Sequence, residues 1–152
     1  MAGGVRNEGD AARADKIESM AAELGLDSDL SVERNISSLR MEELFRSACC
    51  AIHTMRDEHF GISCVEFKAA GILTVGHDSA GPGLDILIPY QGERTGFLAA
   101  DLDAFADCLD QMFSMPQAQR VKIAENGKKS AKIFNLQNFR ANFVDETKTL
   151  FL

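Results

Sequence analysis

Two glutamates that enclose a glycine are the residues of this sequence best suited to bind a ligand. Glu58 and Glu66 begin and end the segment EHFGISCVE. The apolar spacing after Gly61 predicts a helix over 61–70. At ~100° per residue, Glu66 falls inside the apolar stripe that begins at Ile62. A carboxylate in that position is either buried with partners or directed into a cleft where it accepts hydrogen bonds.

The start of this predicted helix is suited to an anion. Its first N–H groups are free and carry positive dipole potential, which favours phosphate, and Gly61 permits close backbone approach. Glu58 follows the apolar run 49–54, predicted as a buried strand, and ligands bind at the carboxyl ends of such strands. Amides for phosphate and carboxylates for hydroxyls are what a nucleotide sugar needs. The spacing alone leaves open that Glu58 caps a helix and Glu66 makes a buried ion pair.

A second loop is expected at the same edge of the sheet. The segment HDSAGPG, residues 77–83, follows the predicted buried strand 72–75. The small residues Ser79 and Gly81 permit backbone contact with phosphate. The alternative is a plain connecting loop, with His77 making a hydrogen bond that fixes it. His53, at the end of the preceding strand, is predicted to be a structural histidine with its hydrogen bonds satisfied.

The elements that position these loops alternate between helix and strand. Helices are predicted over 11–24, 41–48, 61–70, 103–115, 118–134 and 136–151, and extended segments over 30–34, 49–54, 72–75, 86–89 and 96–99, with a turn at 92–94. Buried strands separated by helices favour parallel βαβ units, and so an α/β, Rossmann-like doubly wound parallel sheet with C-terminal helices.

The domain boundaries are predicted from the same pattern. We expect one nucleotide-sugar-binding domain over 1–152, with 116–152 as its C-terminal helical extension. Only Met1 and Ala2 precede the glycine turn Gly3-Gly4. The first strand is therefore expected to be clipped, as in a fragment of a longer protein.

The composition argues for a globular domain and against several classes of function. The chain has 152 residues, 45% of them hydrophobic and 26% charged, which is typical of a globular domain. A net charge of -7, one tyrosine and no tryptophan argue against nucleic-acid binding. No apolar run is long enough to span a membrane, and no signal peptide is recognised. Four cysteines without a C-x-x-C pair are interpreted as reduced, small hydrophobic residues.

A lysine-rich stretch near the predicted C-terminal helices is the main basic feature. It contains Lys122, Lys128, Lys129 and Lys132. Such a patch is ordinarily a solvated face; contact with anionic lipid headgroups in a longer parent protein is the alternative.

The sequence also resembles a known family. Glu58 to Glu66 is similar to the paired-glutamate motif of retaining glycosyltransferase family 4, which has the GT-B fold. The flanks resemble the GDP-mannose-dependent α-1,2-mannosyltransferases of dolichol-linked oligosaccharide assembly. They do so through His53-Thr54-Met55, Ala69-Ala70-Gly71, Gly81-Pro82, Leu84-Asp85-Ile86, Ile88-Pro89 and Thr95-Gly96-Phe97-Leu98-Ala99. The resemblance runs from about Gly3 to the C-terminal helices.

The resemblance implies that the chain is the C-terminal, donor-binding half of a GT-B enzyme. Glu58 would be the catalytic-site carboxylate that contacts the donor sugar, and Glu66 would bind the ribose hydroxyls. The remaining implied donor-binding residues are Phe60, Gly61, Ile62, Ser79 and Gly81. Mannose would pass from GDP-mannose to the acceptor with retention of configuration, without a metal or other cofactor.

Departures from the family pattern limit what this chain would do alone. Ala80 stands where the family usually has glycine. The N-terminal domain that would bind the dolichol-linked oligosaccharide is missing, as is a basic pair that grips the diphosphate, so the fragment alone is expected to be inactive. The parent is expected to associate with the cytosolic side of the endoplasmic reticulum membrane. The alternatives are a truncated, non-catalytic binding module or another nucleotide-sugar-dependent enzyme.

Overall fold

A computed structural model describes residues 1–148 of the chain, which divides into two compact units, 1–47 and 48 onward. In the first unit, strand β1 (Ala2–Gly3) pairs in parallel with β2 (Glu33–Arg34), and the helices are α1 (Glu8–Glu23) and α2 (Ser38–Ser47). β1 and β2 have two residues each. The single domain over 1–152, with its extension over 116–152, stays a prediction, and the end of the helix predicted over 136–151 lies outside the described residues.

The second unit contains the three-stranded parallel sheet that carries the two loops. Its elements are β3 (Cys50–His53), α3 (Ile62–Ala70), β4 (Leu73–His77), a π-helical turn (Pro82–Ile86), β5 (Phe97–Ala99), α4 (Leu102–Ser114), α5 (Gln117–Ala131) and α6 (Leu136–Thr147). The strand order is β3-β4-β5. The predicted parallel α/β arrangement is therefore confirmed. No helix among the described residues combines the length and apolar character needed to cross a membrane.

The core of this unit lies around β4, whose five residues are all buried. One cluster joins the sheet to α4 and α5 through Leu73, Val75, Phe97, Ala99, Met112 and Ile123. A second cluster packs Cys64 and Val65 of α3 against Ile86, the last residue of the π-helical turn, and Leu87. β3 is at the edge of the sheet and only half-buried, with Ile52 47% exposed. The predicted fully buried strand 49–54 is wrong in this respect.

Several helix ends follow their sequence signals. The Asp101 side chain accepts a hydrogen bond from the Ala104 N–H and so caps α4. α3 begins after Gly61 (φ 91°) and ends at Gly71 (φ 80°), both in the left-handed region. These two glycines explain why the predicted bounds of α3 agree with the observed helix.

Two loop predictions need correction. Residues 86–89 were expected to be extended, but Ile86 closes the π-helical turn, in which the Leu87 N–H donates to the Pro82 carbonyl at 2.9 Å. This conformation buries both Ile86 and Leu87. The predicted turn at 92–94 lies one residue earlier, with positive φ at Gln91 and Gly92 between the bridged residues Tyr90 and Glu93.

Candidate functional site

The two loops predicted from the sequence form one hydrogen-bonded unit. β3 and β4 are adjacent and parallel, so the loops that follow them leave the same edge of the sheet. The Gly81 N–H donates to the Glu58 carbonyl at 3.0 Å, and the Asp57 N–H donates to Ser79 Oγ at 2.9 Å. We call residues 54–61 and 78–81 the loop pair. These bonds bring Glu58 and Gly81 together, as the strand-end argument predicts.

Close backbone contact within the loop pair requires glycine. A Cβ added to Gly81 would lie 2.2 Å from the carbonyl oxygen of Phe60, too close for any side chain. A Cβ on Gly61 would lie 3.1 Å from Pro82 Cγ, and its backbone is left-handed. The glycines therefore hold the two loops against each other.

Ser79 connects the loop pair to the sheet. Its Oγ accepts from Asp57 and lies 2.9 Å from Nδ1 of His77, which is buried. The hydrogen bond predicted for His77, which fixes the second loop, is therefore present. The next residue, Ala80, has φ 42°, in the left-handed region that favours glycine. The family usually has glycine at this position, and glycine adopts this conformation more easily than alanine because it has no Cβ.

Glu58 is half-buried, with 27% of its side chain exposed, and its Oε2 lies 4.0 Å from His53 Nε2. His53 is mostly buried, and its Nδ1 has no hydrogen-bond partner in residues 1–148. The prediction that the hydrogen bonds of His53 are satisfied is therefore wrong. Sequence reasoning placed both residues at the same sheet edge but missed this contact.

Glu66 is exposed, so of the two alternatives predicted from the helical stripe the one that buries it with partners is wrong. The buried residues of α3 are Cys64, Val65 and Lys68, whereas Ile62 is 59% exposed. The stripe was misplaced because lysine was counted as polar although Lys68 packs inside. Glu66 makes no hydrogen bond or ion pair with the described residues, which excludes the buried ion pair and leaves both carboxylate oxygens accessible. It lies one helical turn after Ile62, on the same side of α3.

The first turn of α3 is open to a ligand. Gly61 supplies no side-chain cap to the helix. The Cys64 N–H donates to the Gly61 carbonyl at 2.9 Å, which leaves the N–H groups of Ile62 and Ser63 at the positive end of α3 to bind an anion. The first half of the loop pair, residues 54–61, leads directly into this uncapped turn and on to Glu66.

Lys68 is the buried charged residue that sequence reasoning missed. It is 1% exposed, and its Nζ donates to the Ile86 carbonyl, which joins α3 to the π-helical turn. Burial lowers the pKa of Lys68 to about 8. Lys68 lies one helical turn after Cys64, so an apolar stripe drawn through Cys64 would have predicted that Lys68 is buried.

The cysteines behave as small hydrophobic residues. All four are free, and burial raises the pKa of the Cys64 thiol to about 11, so this thiol is a poor nucleophile at neutral pH. Residues 1–148 contain no group of three or more histidine, cysteine or carboxylate side chains arranged to hold a metal ion.

Comparison with protein families and curated proteins identifies relatives. The model of the family "Glycosyl transferases group 1" matches residues 2–130. The GDP-Man:Man(3)GlcNAc(2)-PP-Dol alpha-1,2-mannosyltransferase of Xenopus laevis is 36% identical over 151 residues, covering 99% of this chain and 31% of the relative. The Homo sapiens protein of that name is 33% identical over the same shares of both chains. The chain thus spans less than a third of the length of these relatives.

Solved structures share the fold at lower identity. Sucrose-phosphate synthase from Thermosynechococcus elongatus has a TM-score of 0.78 and 21% identity, covering 99% of this chain and 37% of that chain. Anabaena HepE, solved in complex with UDP and glucose, has a TM-score of 0.80 and 17% identity, covering 96% of this chain and 39% of that chain. The fold predicted from the sequence, that of GT-B glycosyltransferases, is confirmed. With the family match, these findings confirm the resemblance, and the chain belongs to the glycosyl transferases group 1 family.

Proposed function

We propose that this chain is the donor-binding part of a retaining α-mannosyltransferase that uses GDP-mannose to extend lipid-linked oligosaccharide for N-glycosylation. The observation that carries the proposal is the loop pair, which holds Glu58 beside the uncapped first turn of α3, with the accessible Glu66 one turn further on. The names of relatives at 33% and 36% identity over 99% of the chain support the choice of donor and linkage.

Each group would meet the part of the donor that its chemistry suits. The half-buried carboxylate of Glu58 would accept hydrogen bonds from hydroxyls of the mannose, close to the reacting carbon. Backbone amides of Phe60, Gly61 and Ile62 would hold the sugar and the diphosphate at the positive end of α3. Glu66, whose oxygens have no partner in residues 1–148, would accept from both ribose hydroxyls.

The second loop would line the diphosphate side of the donor. Gly81 leaves no side chain between the two loops and its N–H already donates to the Glu58 carbonyl, so we assign this residue to holding the two loops together beside the donor. The hydroxyl of Ser79 already bonds to Asp57 and His77, and we therefore assign this residue to holding the loop in place.

The proposed reaction breaks the bond between the anomeric carbon of mannose and the diphosphate, and the oxygen of an acceptor hydroxyl bonds to that carbon on the same face of the sugar. GDP leaves, and the hydroxyl proton passes to the departing diphosphate. Negative charge grows on the leaving diphosphate, and helix N–H groups and basic side chains stabilise it, so the proposed mechanism needs no metal or other cofactor. The parent protein would bind the dolichol-linked acceptor, supply the remaining basic groups and associate with the cytosolic side of the endoplasmic reticulum membrane. We therefore expect these 152 residues to bind donor but not to transfer mannose.

Calorimetry with GDP, GDP-mannose and UDP tests the proposal. We expect the 152-residue chain to bind GDP and GDP-mannose more tightly than UDP. Glu66→Gln should weaken GDP binding about tenfold or more, because a charged acceptor of two ribose hydrogen bonds is lost. Glu125→Gln is the matched control, since Glu125 is an exposed glutamate on α5, and it should bind GDP as the wild type does.

Two outcomes would count against this assignment. Equal GDP affinity in Glu66→Gln and wild type would remove Glu66 from the ribose site. Absence of any heat with GDP and GDP-mannose would favour the non-catalytic binding module over a donor-binding part.

A further inference from the structure

His53 and Glu58 stand at the two ends of the turn that leaves β3. His53 is the last residue of β3 and lies in register with Gly76 of β4. A Cβ on Gly76 would lie 3.7 Å from Cys64 Sγ and 3.3 Å from Pro82 Cβ, so this face of the sheet packs against α3 and the π-helical turn. Residues in register on parallel strands present their side chains to the same face, and the ring of His53 therefore lies on the side of α3.

The side chain of Glu58 reaches the same place from the loop. A Cβ on Gly61 would lie 3.5 Å from Cγ of Glu58, which puts the Glu58 stem beside the start of α3. After burial, the carboxylate of Glu58 is the next cause of the raised pKa of the Cys64 thiol, so its charge lies near that thiol. His53 Nε2 is 4.0 Å from Glu58 Oε2, and no lysine or arginine pairs with Glu58 within residues 1–148.

Nδ1 of His53 is the unusual atom of this pair. Among the buried side-chain nitrogen and oxygen atoms of residues 1–148, it alone lacks a hydrogen-bond partner. Buried polar atoms are paired in most folded proteins, because an unpaired one destabilises the fold. The ring is therefore held with Nε2 toward Glu58 although Nδ1 stays unpaired.

The surroundings of the neutral ring also favour one tautomer. A proton on Nδ1 would bury an unpaired N–H and turn the lone pair of Nε2 toward a carboxylate. A proton on Nε2 instead places a donor opposite an acceptor. The tautomer protonated on Nε2 is thus the one that suits this position.

We propose that His53 is a positioning residue for Glu58: its Nε2–H donates to one carboxylate oxygen and leaves the other to accept from a hydroxyl of the donor sugar. The role of Glu58 toward the sugar rests on the proposed function, whereas its pairing with His53 does not. The 4.0 Å separation is about 1 Å longer than a hydrogen bond, and the bond forms as the carboxylate turns to meet the donor. A carboxylate held in this way loses less freedom on binding, so His53 strengthens sugar binding without touching the sugar.

Calorimetry with GDP and GDP-mannose separates this role from a structural one, because GDP lacks the sugar that Glu58 would hold. His53→Leu keeps a side chain of similar size but has no donor. It should weaken GDP-mannose binding roughly fivefold or more and leave GDP binding within about twofold of the wild type. His53→Gln should restore GDP-mannose binding, since its amide nitrogen reaches the place of Nε2. His53→Asn, whose shorter amide matches Nδ1, should not restore it.

Two further variants control for changes in the strand. Ile52→Ala alters the neighbouring residue of β3, whose side chain is 47% exposed on the opposite face, and should keep the ratio of the two affinities. In a Glu58→Gln background, His53→Leu should cause no further loss of GDP-mannose affinity, because the partner carboxylate has already been removed.

Proton–nitrogen NMR spectra of the free chain, with isotope-labelled histidine, test the pair without any ligand. The spectra are recorded at pH ~8, where an ordinary histidine is neutral. The ring signals that disappear in His53→Gln should show the proton on Nε2, and Glu58→Gln should shift them. This result does not involve the donor, so it still decides the pairing if the chain binds neither GDP nor GDP-mannose and the proposed function fails.

The proposal is overturned if the proton lies on Nδ1, or if Glu58→Gln leaves the ring signals of His53 unchanged. It is overturned equally if His53→Leu weakens GDP and GDP-mannose binding by the same factor, or if His53→Gln and His53→Asn behave alike. In those cases His53 would only fill space at the end of β3.

Discussion

Gly81 is the residue on which the geometry of the loop pair depends most directly. Its backbone is helical (φ -52°, ψ -50°), so alanine would suffer no dihedral strain there. The obstacle is the Phe60 carbonyl oxygen, only 2.2 Å from the position of a Cβ. Because that neighbour is backbone, the loops must separate. We expect Gly81→Ala to destabilise the fold by about 2 kcal/mol or more and to weaken GDP binding.

Urea denaturation and GDP calorimetry measure the two effects of Gly81→Ala. Gly4→Ala is the control, since a Cβ at Gly4 has no neighbour within 4 Å. If both variants unfolded at the same urea concentration and bound GDP equally, the contact between Gly81 and Phe60 would not hold the loops.

At the scale of single residues, the sequence predicts those site residues whose place depends on local backbone conformation or on the nearest strand end. Gly61 and Gly81 were found because glycine marks positive φ or close backbone contact, and Glu58 because it follows an apolar run that ends at the sheet edge. The contact of Glu58 with His53 was missed, since it depends on how two segments of a folded loop meet. The place of Glu66 inside the apolar stripe was predicted wrongly, because a helical wheel drawn from residue types does not show that the stem of Lys68 is buried.

At the scale of elements, Lys68 couples α3 to the π-helical turn. Its folded pKa of about 8 lies below the ordinary value of 10.5. The unfolded chain therefore binds this proton more tightly, and charged Lys68 opposes folding below pH ~8. That penalty, no more than about 3 kcal/mol, declines as the pH rises from about 8 to about 10.5 and is absent above that range.

The comparison of Lys68→Met with the wild type isolates this effect. Methionine keeps the length of the side chain but carries no charge, and it leaves the Ile86 carbonyl without its donor at every pH. The stability of the variant minus that of the wild type should therefore fall as the pH rises from about 8 to about 10.5. Urea unfolding at a series of pH values gives this difference. A difference that stayed constant, or rose with pH, would contradict a depressed pKa at Lys68.

The elements also show where periodicity stops being informative. The helix over 61–70 was predicted almost to the residue, because a glycine stands at each end and apolar residues lie between them. The segment 86–89, whose first residue closes the π-helical turn, was predicted as extended, since a short apolar run such as 86–88 has no period that separates strand from helix. Tertiary packing decides this case: Ile86 and Leu87 are adjacent, yet both are buried.

At the scale of the whole molecule, burial is unevenly distributed between the two units. In residues 1–47, only Ala14 and Ala21 are buried, and both are small. Both core clusters lie in the second unit, around β4.

Local opening is easiest where little apolar area must be exposed. We therefore expect amide hydrogens of α1 to exchange at least roughly tenfold faster than those of β4, relative to their unfolded rates. Hydrogen-exchange mass spectrometry, with the urea-unfolded chain as reference, measures this ratio. Equal protection of α1 and β4 would mean that the two units open together in a single cooperative step, and the uneven core would then have no consequence for local stability.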